Sequence, residues 1–257
     1  MDNRKGTELE RYLELNEASW DKVAHSTKGR TALPFYGPLC ADERQLGLLG
    51  DVRGKRIVEL GCGDGKSLLY LHTHGAEELC GLDLSGEQIA NAKALCEEHD
   101  FEARLHQAPM EANPGIPQNH FDIALSLYAL GWSVDLSASL DRIASYLRPG
   151  GILVFSWEHP VFRCLKSRGK ELVMQHSYSD EGPIESMSWN GGPIVMHARK
   201  LSTFLNAIIA SGLRIEHVIE ADLHESEDGL RDYPRRWYSK DRAKLMPTTV
   251  IIKASKP

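Results

Sequence analysis

Two short stretches hold residue types whose spacing suits ligand chemistry. Val58-Glu59-Leu60-Gly61-Cys62-Gly63-Asp64-Gly65-Lys66 runs an apolar segment into a turn with three glycines, and Gly81-Leu82-Asp83-Leu84-Ser85 ends a second apolar segment on a carboxylate. Glycine lacks a Cβ and tolerates positive φ, so such a turn is tight and lets a ligand approach the backbone. An acid closing the next strand can accept hydrogen bonds from both hydroxyls of a ribose. The pair therefore reads as a nucleoside pocket. In a dinucleotide fingerprint, G-x-G-x-x-G, the third glycine would fall at Lys66. Here it is Gly65, and the pattern from Glu59 is Glu-x-Gly-x-Gly-x-Gly. That shift disfavours an NAD-dependent oxidoreductase.

Further candidates lie outside the loop. Glu158-His159-Pro160 follows a predicted strand, and an imidazole that titrates near neutral pH suits a general base for a hydroxyl or amine. Glu158 is the second candidate base. The competing reading has His159 capping the strand end. Tyr128, Trp132, Trp20 and Tyr36 either line an acceptor pocket or pack in the core. His176, Trp189 and His197 are candidate substrate contacts or ordinary surface and packing residues. Arg231-Asp232-Tyr233-Pro234-Arg235-Arg236-Trp237-Tyr238, with Arg242 beyond it, interleaves basic and aromatic residues. It is either a surface for an anionic substrate or nucleic acid, or a solvated loop beside Glu225, Glu227 and Asp228.

The elements that must position these residues are legible from periodicity. Strands are predicted at Arg56–Leu60, Glu78–Leu82, Ala103–His106, Asp122–Ser126 and Ile152–Ser156, with two more near Leu213–Ile219 and Thr248–Ala254. Helices are predicted over Gly65–His74, Gly86–His99, Leu136–Leu147 and His197–Ser211, where apolar residues recur with helical spacing. Alternation of the two implies a doubly wound parallel sheet, which binds ligands at the carboxyl ends of its strands. Outside this core lie residues 1–50, with an amphipathic helix (Leu9, Tyr12, Leu13, Leu15), and residues 158–196, predicted as an irregular insert. The expected organisation is one domain: a cap over 1–50, a cofactor core over 51–157, a substrate lid over 158–196, and a closing helix and strands over 197–257.

Composition sets the remaining bounds. The 257 residues are 42% hydrophobic and carry a formal charge of −6, enough for one large α/β core and unsuited to nucleic-acid phosphate as the main partner. The five cysteines form no C-x-x-C pair, so reduced thiols in a cytoplasmic protein are expected. A polar N-terminus and the lack of a long apolar run point away from a secretory signal and from a membrane span.

The Glu59–Gly65 pattern resembles motif I of the class I S-adenosylmethionine-dependent methyltransferases, and Asp83 matches their acid after the second strand. Phe121-Asp122 followed by Ile123–Leu127 resembles their motif IV, and Leu147-Arg148-Pro149-Gly150-Gly151 the turn before their fifth strand. The resemblance covers about residues 55–160 and continues more loosely to the C-terminus. It is greatest to the small-molecule enzymes related to ubiquinone and menaquinone biosynthesis. It implies a seven-stranded, Rossmann-like, mostly parallel sheet with the last strand antiparallel. It also implies S-adenosylmethionine as cofactor, S-adenosylhomocysteine as product, and an oxygen, nitrogen or carbon of a small metabolite as acceptor. Gly61, Gly63 and Gly65 would then lie along the methionine moiety and ribose, with Cys62 and Asp64 in the same loop. Glu59 would brace the loop or face the ammonium group, Asp83 hold the ribose, and Leu84 pack on the adenine. Pro109 stands near the place of the family's adenine-binding Asp, which leaves the Met110 amide and Glu111 for that contact. Leu127 and Tyr128 would face the reactive methyl. No metal is expected, because Ser126-Leu127-Tyr128-Ala129-Leu130-Gly131-Trp132 lacks the acid that metal-dependent members carry there. An RNA or protein methyltransferase, supported only by the Arg231–Arg242 loop, and a non-catalytic cofactor-binding regulator are the alternatives.

Overall fold

A computed structural model describes residues 3–24, 32–169, 171–190, 192–224 and 238–257. Apolar runs bounded by turn residues form the strands β1 (Arg56–Leu60), β2 (Glu78–Asp83), β3 (Arg104–Gln107), β4 (Phe121–Leu127) and β5 (Leu147–Glu158). Near the C-terminus stand β10 (Arg214–Glu220) and β11 (Thr249–Ser255). These seven make one sheet in the order β10-β11-β5-β4-β1-β2-β3. β1 to β5 are mutually parallel, and β11 runs antiparallel to both β5 and β10. The strand order reverses beside β1, so the turns after β1 and β4 open on one crevice, where ligands of such sheets sit.

Because strand side chains alternate, the sheet separates two cores. Val58, Leu60 and Ala124 face one side with Leu140, Ile143, Phe204 and Ile208. Those four come from the helices α5 (Leu136–Tyr146) and α7 (Leu201–Ala210). Ile57, Ile123 and Leu125 face the other side with Leu68, Leu71, Ile89 and Cys96, carried by α3 (Lys66–Thr73) and α4 (Gly86–Glu98). The N-terminal helix α1 (Asn3–Val23) buries Tyr12, Asn16 and Ser19, a stripe at spacings of four and three.

Three sequence expectations change. The insert after β5 is not irregular: beyond the short helix α6 (Pro160–Arg163) it holds two antiparallel hairpins, β6 (Leu165–Arg168) with β7 (Glu171–Met174), and β8 (Gly182–Trp189) with β9 (Gly192–Ala198). The helix predicted from His197 starts at Leu201, since His197 and Ala198 pair with Pro183 and Gly182 in the second hairpin. The helix predicted to Leu147 ends at Tyr146, and β5 begins there and continues through the Pro149-Gly150-Gly151 turn. The cause of the first two is the same. Gly192–Ala198 gains its hydrogen bonds from a partner strand, which local periodicity does not reveal. No helix among the described residues is long and apolar enough to cross a membrane.

Candidate functional site

The loop after β1 is built as its glycines require. Gly61, Gly63 and Gly65 have φ of 76°, 53° and 78°, the left-handed region that side chains with a Cβ disfavour. A methyl on Gly61 would overlap that of Ala129, whereas a Cβ on Gly63 meets nothing within 4 Å. The first glycine thus packs the loop against the turn after β4, and the second leaves space beside the backbone. Asp83 ties the loop to β2: its Oδ2 accepts from the Gly63 amide and its Oδ1 from the Ser85 amide, both at 2.9 Å. Each oxygen keeps lone-pair capacity for a further donor. Burial raises the Asp83 carboxyl, opposed by the amides of Ser85, Gly63 and Leu84. Cys62 is buried behind the loop, Leu84 is half-buried beside Asp83, and Asp64 accepts from Lys66 Nζ at 2.8 Å.

Glu59 is the unusual member. It is 2% exposed, and its Oε2 has no hydrogen-bond partner. Burial raises its carboxyl to about 8, with Asp64 and Asp83 adding to the rise and a Ser67 hydrogen bond opposing it. A buried acid without a counter-charge awaits either a proton or a cation.

Met110 and Glu111 lie beyond β3. Met110 reaches toward the loop, its Cε being 3.7 Å from where a Gly61 Cβ would stand. The Glu111 carboxylate is engaged elsewhere: Oε1 accepts from the Ser133 hydroxyl and the Val134 amide, both at 2.8 Å, and from the Asp135 amide at 3.2 Å. It fastens the entry to α5, a structural use that sequence inspection did not anticipate.

Beyond the loop the crevice is walled by aromatic rings. Leu127 ends β4 and Tyr128 follows with φ of 55°, an outlier conformation for a bulky residue. Its amide donates to the Ser156 carbonyl at 3.0 Å, and its ring lies 5.4 Å from that of Trp157. Trp132, in a 3-10 turn over Leu130–Trp132, stands edge-on to Trp157 at 5.6 Å. Trp20 from α1 and Trp189 from β8 complete the wall: Trp20 to Trp132 is 5.3 Å, Trp20 to Trp189 4.9 Å and Trp132 to Trp189 5.7 Å. Toward its other end the Tyr128 hydroxyl points at that of Tyr238, at 3.5 Å, and the Tyr238 hydroxyl donates to Glu158 Oε1 at 2.8 Å. Burial, with Glu158 adding to it, pushes both phenols well above their ordinary range. They are proton-bearing donors, not bases. Trp157 was not singled out from the sequence, and only the alternation of β5 hinted that it points the same way as Phe155; Tyr238 was named there only as the end of the basic–aromatic stretch Arg231–Tyr238.

Other sequence candidates fall elsewhere. His159 is 2% exposed and caps α6, its Nδ1 accepting from the Val161 amide at 3.2 Å. That fixes the proton on Nε2, which faces Glu220 Oε1 at 2.8 Å, so no lone pair is left for a substrate proton. Tyr36 is fully buried in the core on the α3 side and donates to Glu43. Its neighbour Gly37, not Tyr36, touches the site, since a Cβ there would stand 2.6 Å from the Tyr128 ring. His176 is exposed just after β7. His197 packs edge-on to Tyr12, and burial lowers its imidazole to about 4. Arg242 is buried, its guanidinium 4.3 Å from the Phe162 ring and donating to the carbonyls of Phe162 and Leu165. Residues 231–237 lie outside the described residues. Among the described residues, no group of three His, Cys, Asp or Glu is placed to hold a metal ion.

A cavity of about 200 Å³ is lined by Glu43, Leu49, Val52, Arg53, Tyr70 and His74. It opens at the amino ends of the strands, away from this crevice.

Known proteins resemble the chain over the same parts. A family model described as a methyltransferase domain matches residues 58–155. An S-adenosylmethionine-dependent methyltransferase structure from Mesorhizobium loti is 32% identical, with a TM-score of 0.70, covering 82% of this chain and 94% of that one. A ubiquinone biosynthesis O-methyltransferase from Bradyrhizobium sp. (strain ORS 278) is 30% identical over 58% of this chain, and the match spans 60% of that enzyme's length. A geranyl diphosphate C-methyltransferase structure from Streptomyces coelicolor, 14% identical with a TM-score of 0.67, shares the fold. The glycine turn, the carboxylate after β2 and the strand order agree with these likenesses, and the chain belongs to the class I S-adenosylmethionine-dependent methyltransferases.

Proposed function

We propose that this enzyme methylates a small metabolite held against the aromatic wall at the carboxyl ends of β4 and β5. The observation that carries the reading is the adjacency of the two halves: Gly61 packs directly on Ala129, in the same turn that presents Tyr128 and Trp132. Cofactor loop and acceptor wall thus share one seam.

The residues fit the cofactor. The space beside Gly63 admits a ligand close to the backbone, Asp83 offers acceptor capacity to ribose hydroxyls, and the orphaned Glu59 Oε2 suits the ammonium of the methionine part. Leu84 and the Met110 amide are assigned to the adenine, and Leu127 to the methyl side. S-adenosylmethionine supplies the electrophilic methyl when bound. The chain's own part is positioning and exclusion of water. Trp20, Trp132 and Trp189 form an apolar wall for the acceptor, and Tyr128 with Tyr238 links the wall to the Glu158 carboxylate. Glu158 is the group assigned to take a proton, through the phenols, from an acceptor that must lose one. His159 is assigned the cap, not the base.

Calorimetry tests the assignment. The wild-type chain should bind S-adenosylhomocysteine and not NAD. Asp83→Ala should weaken S-adenosylhomocysteine by roughly 1.5–3 kcal/mol, the range for hydrogen bonds to a charged group. NAD binding, or an Asp83→Ala chain with unchanged affinity, would refute it.

A further inference from the structure

The turn that presents Trp132 is gripped by two charged side chains. Between Gly131 and Asp135, one carboxylate oxygen takes three donors: the Ser133 hydroxyl and the amides of Val134 and Asp135 all reach Glu111 Oε1. One guanidinium takes two acceptors, as Arg199 donates to the carbonyls of Gly131 and Ser133. Hydrogen bonds with an ionised partner are roughly twice as strong as neutral ones. These bonds therefore outweigh the two inside the turn itself, from the Trp132 amide to the Ala129 carbonyl and from the Ser133 amide to the Leu130 carbonyl. Trp132 lies within the gripped span, and its backbone goes where the grip puts it.

The two side chains come from different halves of the site. Arg199 stands just past the end of β9, in the insert. Glu111 belongs to the turn after β3, and that turn is tied to the cofactor loop. The Ala108 amide donates to the Asp83 carbonyl at 3.0 Å, and Met110 Cε lies 3.7 Å from where a Gly61 Cβ would stand. Helix α5 holds the same turn from its far side: Arg142 Nε donates to the Glu111 carbonyl at 3.2 Å, and the Tyr146 hydroxyl to the Ala112 carbonyl at 3.4 Å. A ligand that touches Asp83 and the Met110 amide therefore touches both ends of a short stretch whose next residue holds the Trp132 turn. Ordering that stretch once serves both neighbours.

We propose that Glu111 is a positioning residue that ties the Trp132 turn to occupancy of the cofactor site: S-adenosylmethionine in its place fixes Glu111, and Glu111 fixes residues 131–135. Arg199 sets how firmly the turn is held whether or not the cofactor is bound. The proposal rests on the assignment of Asp83 and the Met110 amide to the cofactor. Glu111 acts through the turn and not by contact with the reacting groups. Coupling of this kind is reciprocal. Whatever the bound cofactor contributes to the order of the turn, an acceptor lying on Trp132 returns to the cofactor as affinity.

The test is amide hydrogen exchange on the full chain, followed by mass spectrometry with S-adenosylhomocysteine as the probe. Exchange of a hydrogen-bonded amide requires local opening, so it reads the order of each segment separately. In the wild type, saturating S-adenosylhomocysteine should slow exchange across residues 131–135 by about fivefold or more, together with the glycine turn at Gly61–Gly65. In Glu111→Ala the glycine turn should keep its slowing, and residues 131–135 should lose theirs. Glu111→Gln retains an acceptor oxygen without the charge, so it should restore part of the slowing. Arg199→Ala should speed exchange at residues 131–135 with and without ligand, and leave the ratio of the two states at its wild-type value. Slowing confined to the glycine turn in the wild type would overturn the proposal while the cofactor-site reading stands. So would undiminished slowing at residues 131–135 in Glu111→Ala or, if that variant does not fold, in Glu111→Gln. Loss of the slowing in Arg199→Ala would overturn it too, because the tie would then run through the insert. A wild-type chain that does not bind S-adenosylhomocysteine would instead overturn the cofactor-site reading, and the proposal with it.

Discussion

Glu59 makes the apo protein less stable as the pH rises, and the size of the effect follows from its burial. The carboxyl goes from its ordinary 4.5 to about 8 on folding, so the folded chain holds a proton that the unfolded chain releases. An acid raised in this direction contributes its full stability below the unfolded value and loses it as the pH climbs through the folded one. With 1.36 kcal/mol per pK unit, the loss from Glu59 between pH 5 and pH 8 is roughly 3–4 kcal/mol. Glu59→Gln keeps the shape and cannot ionise. In denaturant unfolding of the apo chain at pH 5, 6, 7 and 8, the variant should therefore gain on the wild type steadily. The two should be nearly equal at pH 5 and separated by about 3 kcal/mol at pH 8. Saturating S-adenosylhomocysteine should shrink the gap, because the ligand's ammonium gives the ionised Glu59 a partner. In calorimetry at pH 7, wild-type binding should release close to one proton, seen as a dependence on buffer ionisation heat that the variant lacks. A wild-type minus variant difference that does not change with pH would refute the reasoning, as would binding without proton release.

Two further outcomes follow from packing. A methyl at position 131 would overlap the Trp157 indole, so Gly131→Ala should cost about 1–3 kcal/mol in denaturant unfolding, the usual penalty of overpacking; an unchanged midpoint would show that the turn after β4 is not held as described. His159→Ala removes the cap of α6 and the contact to Glu220, for an expected loss of about 0.5–2 kcal/mol with S-adenosylhomocysteine affinity intact. If His159→Ala kept full stability and lost turnover, His159 would return to the role of base.

The cofactor half of the site was legible because local sequence builds it. The turn at Gly61–Gly65 needs positive φ at three positions, and only glycine takes that conformation cheaply. Asp83 reaches the turn because it closes the adjacent strand, paired in parallel register with β1. The doubly wound parallel core was equally readable, as alternating strands and helices admit few topologies, whereas the order of the seven strands comes from the structure. The acceptor half was legible only in pieces. Trp20, Trp132 and Trp189 were candidates singly, Tyr238 only as the end of the basic–aromatic stretch Arg231–Tyr238, and Trp157, which joins Trp132 to Tyr128, not at all. Tyr36 and His159 looked like site residues by neighbourhood and type, but one donates into the core and the other caps a short helix.

The sequence by itself determined the glycine turn, the carboxylate that faces it and, through their resemblance to a known motif, the methyl donor, because these residues lie within one strand–helix–strand unit. Only the tertiary structure decided what faces the donor. Trp20 and Trp189 meet because α1 binds the insert through contacts distant in sequence. Asn16 exchanges two hydrogen bonds with the Val195 backbone, and Ser19 donates to the Pro193 carbonyl. Such long-range pairings leave no periodic trace in either segment, so the aromatic wall appears only once the chain has folded.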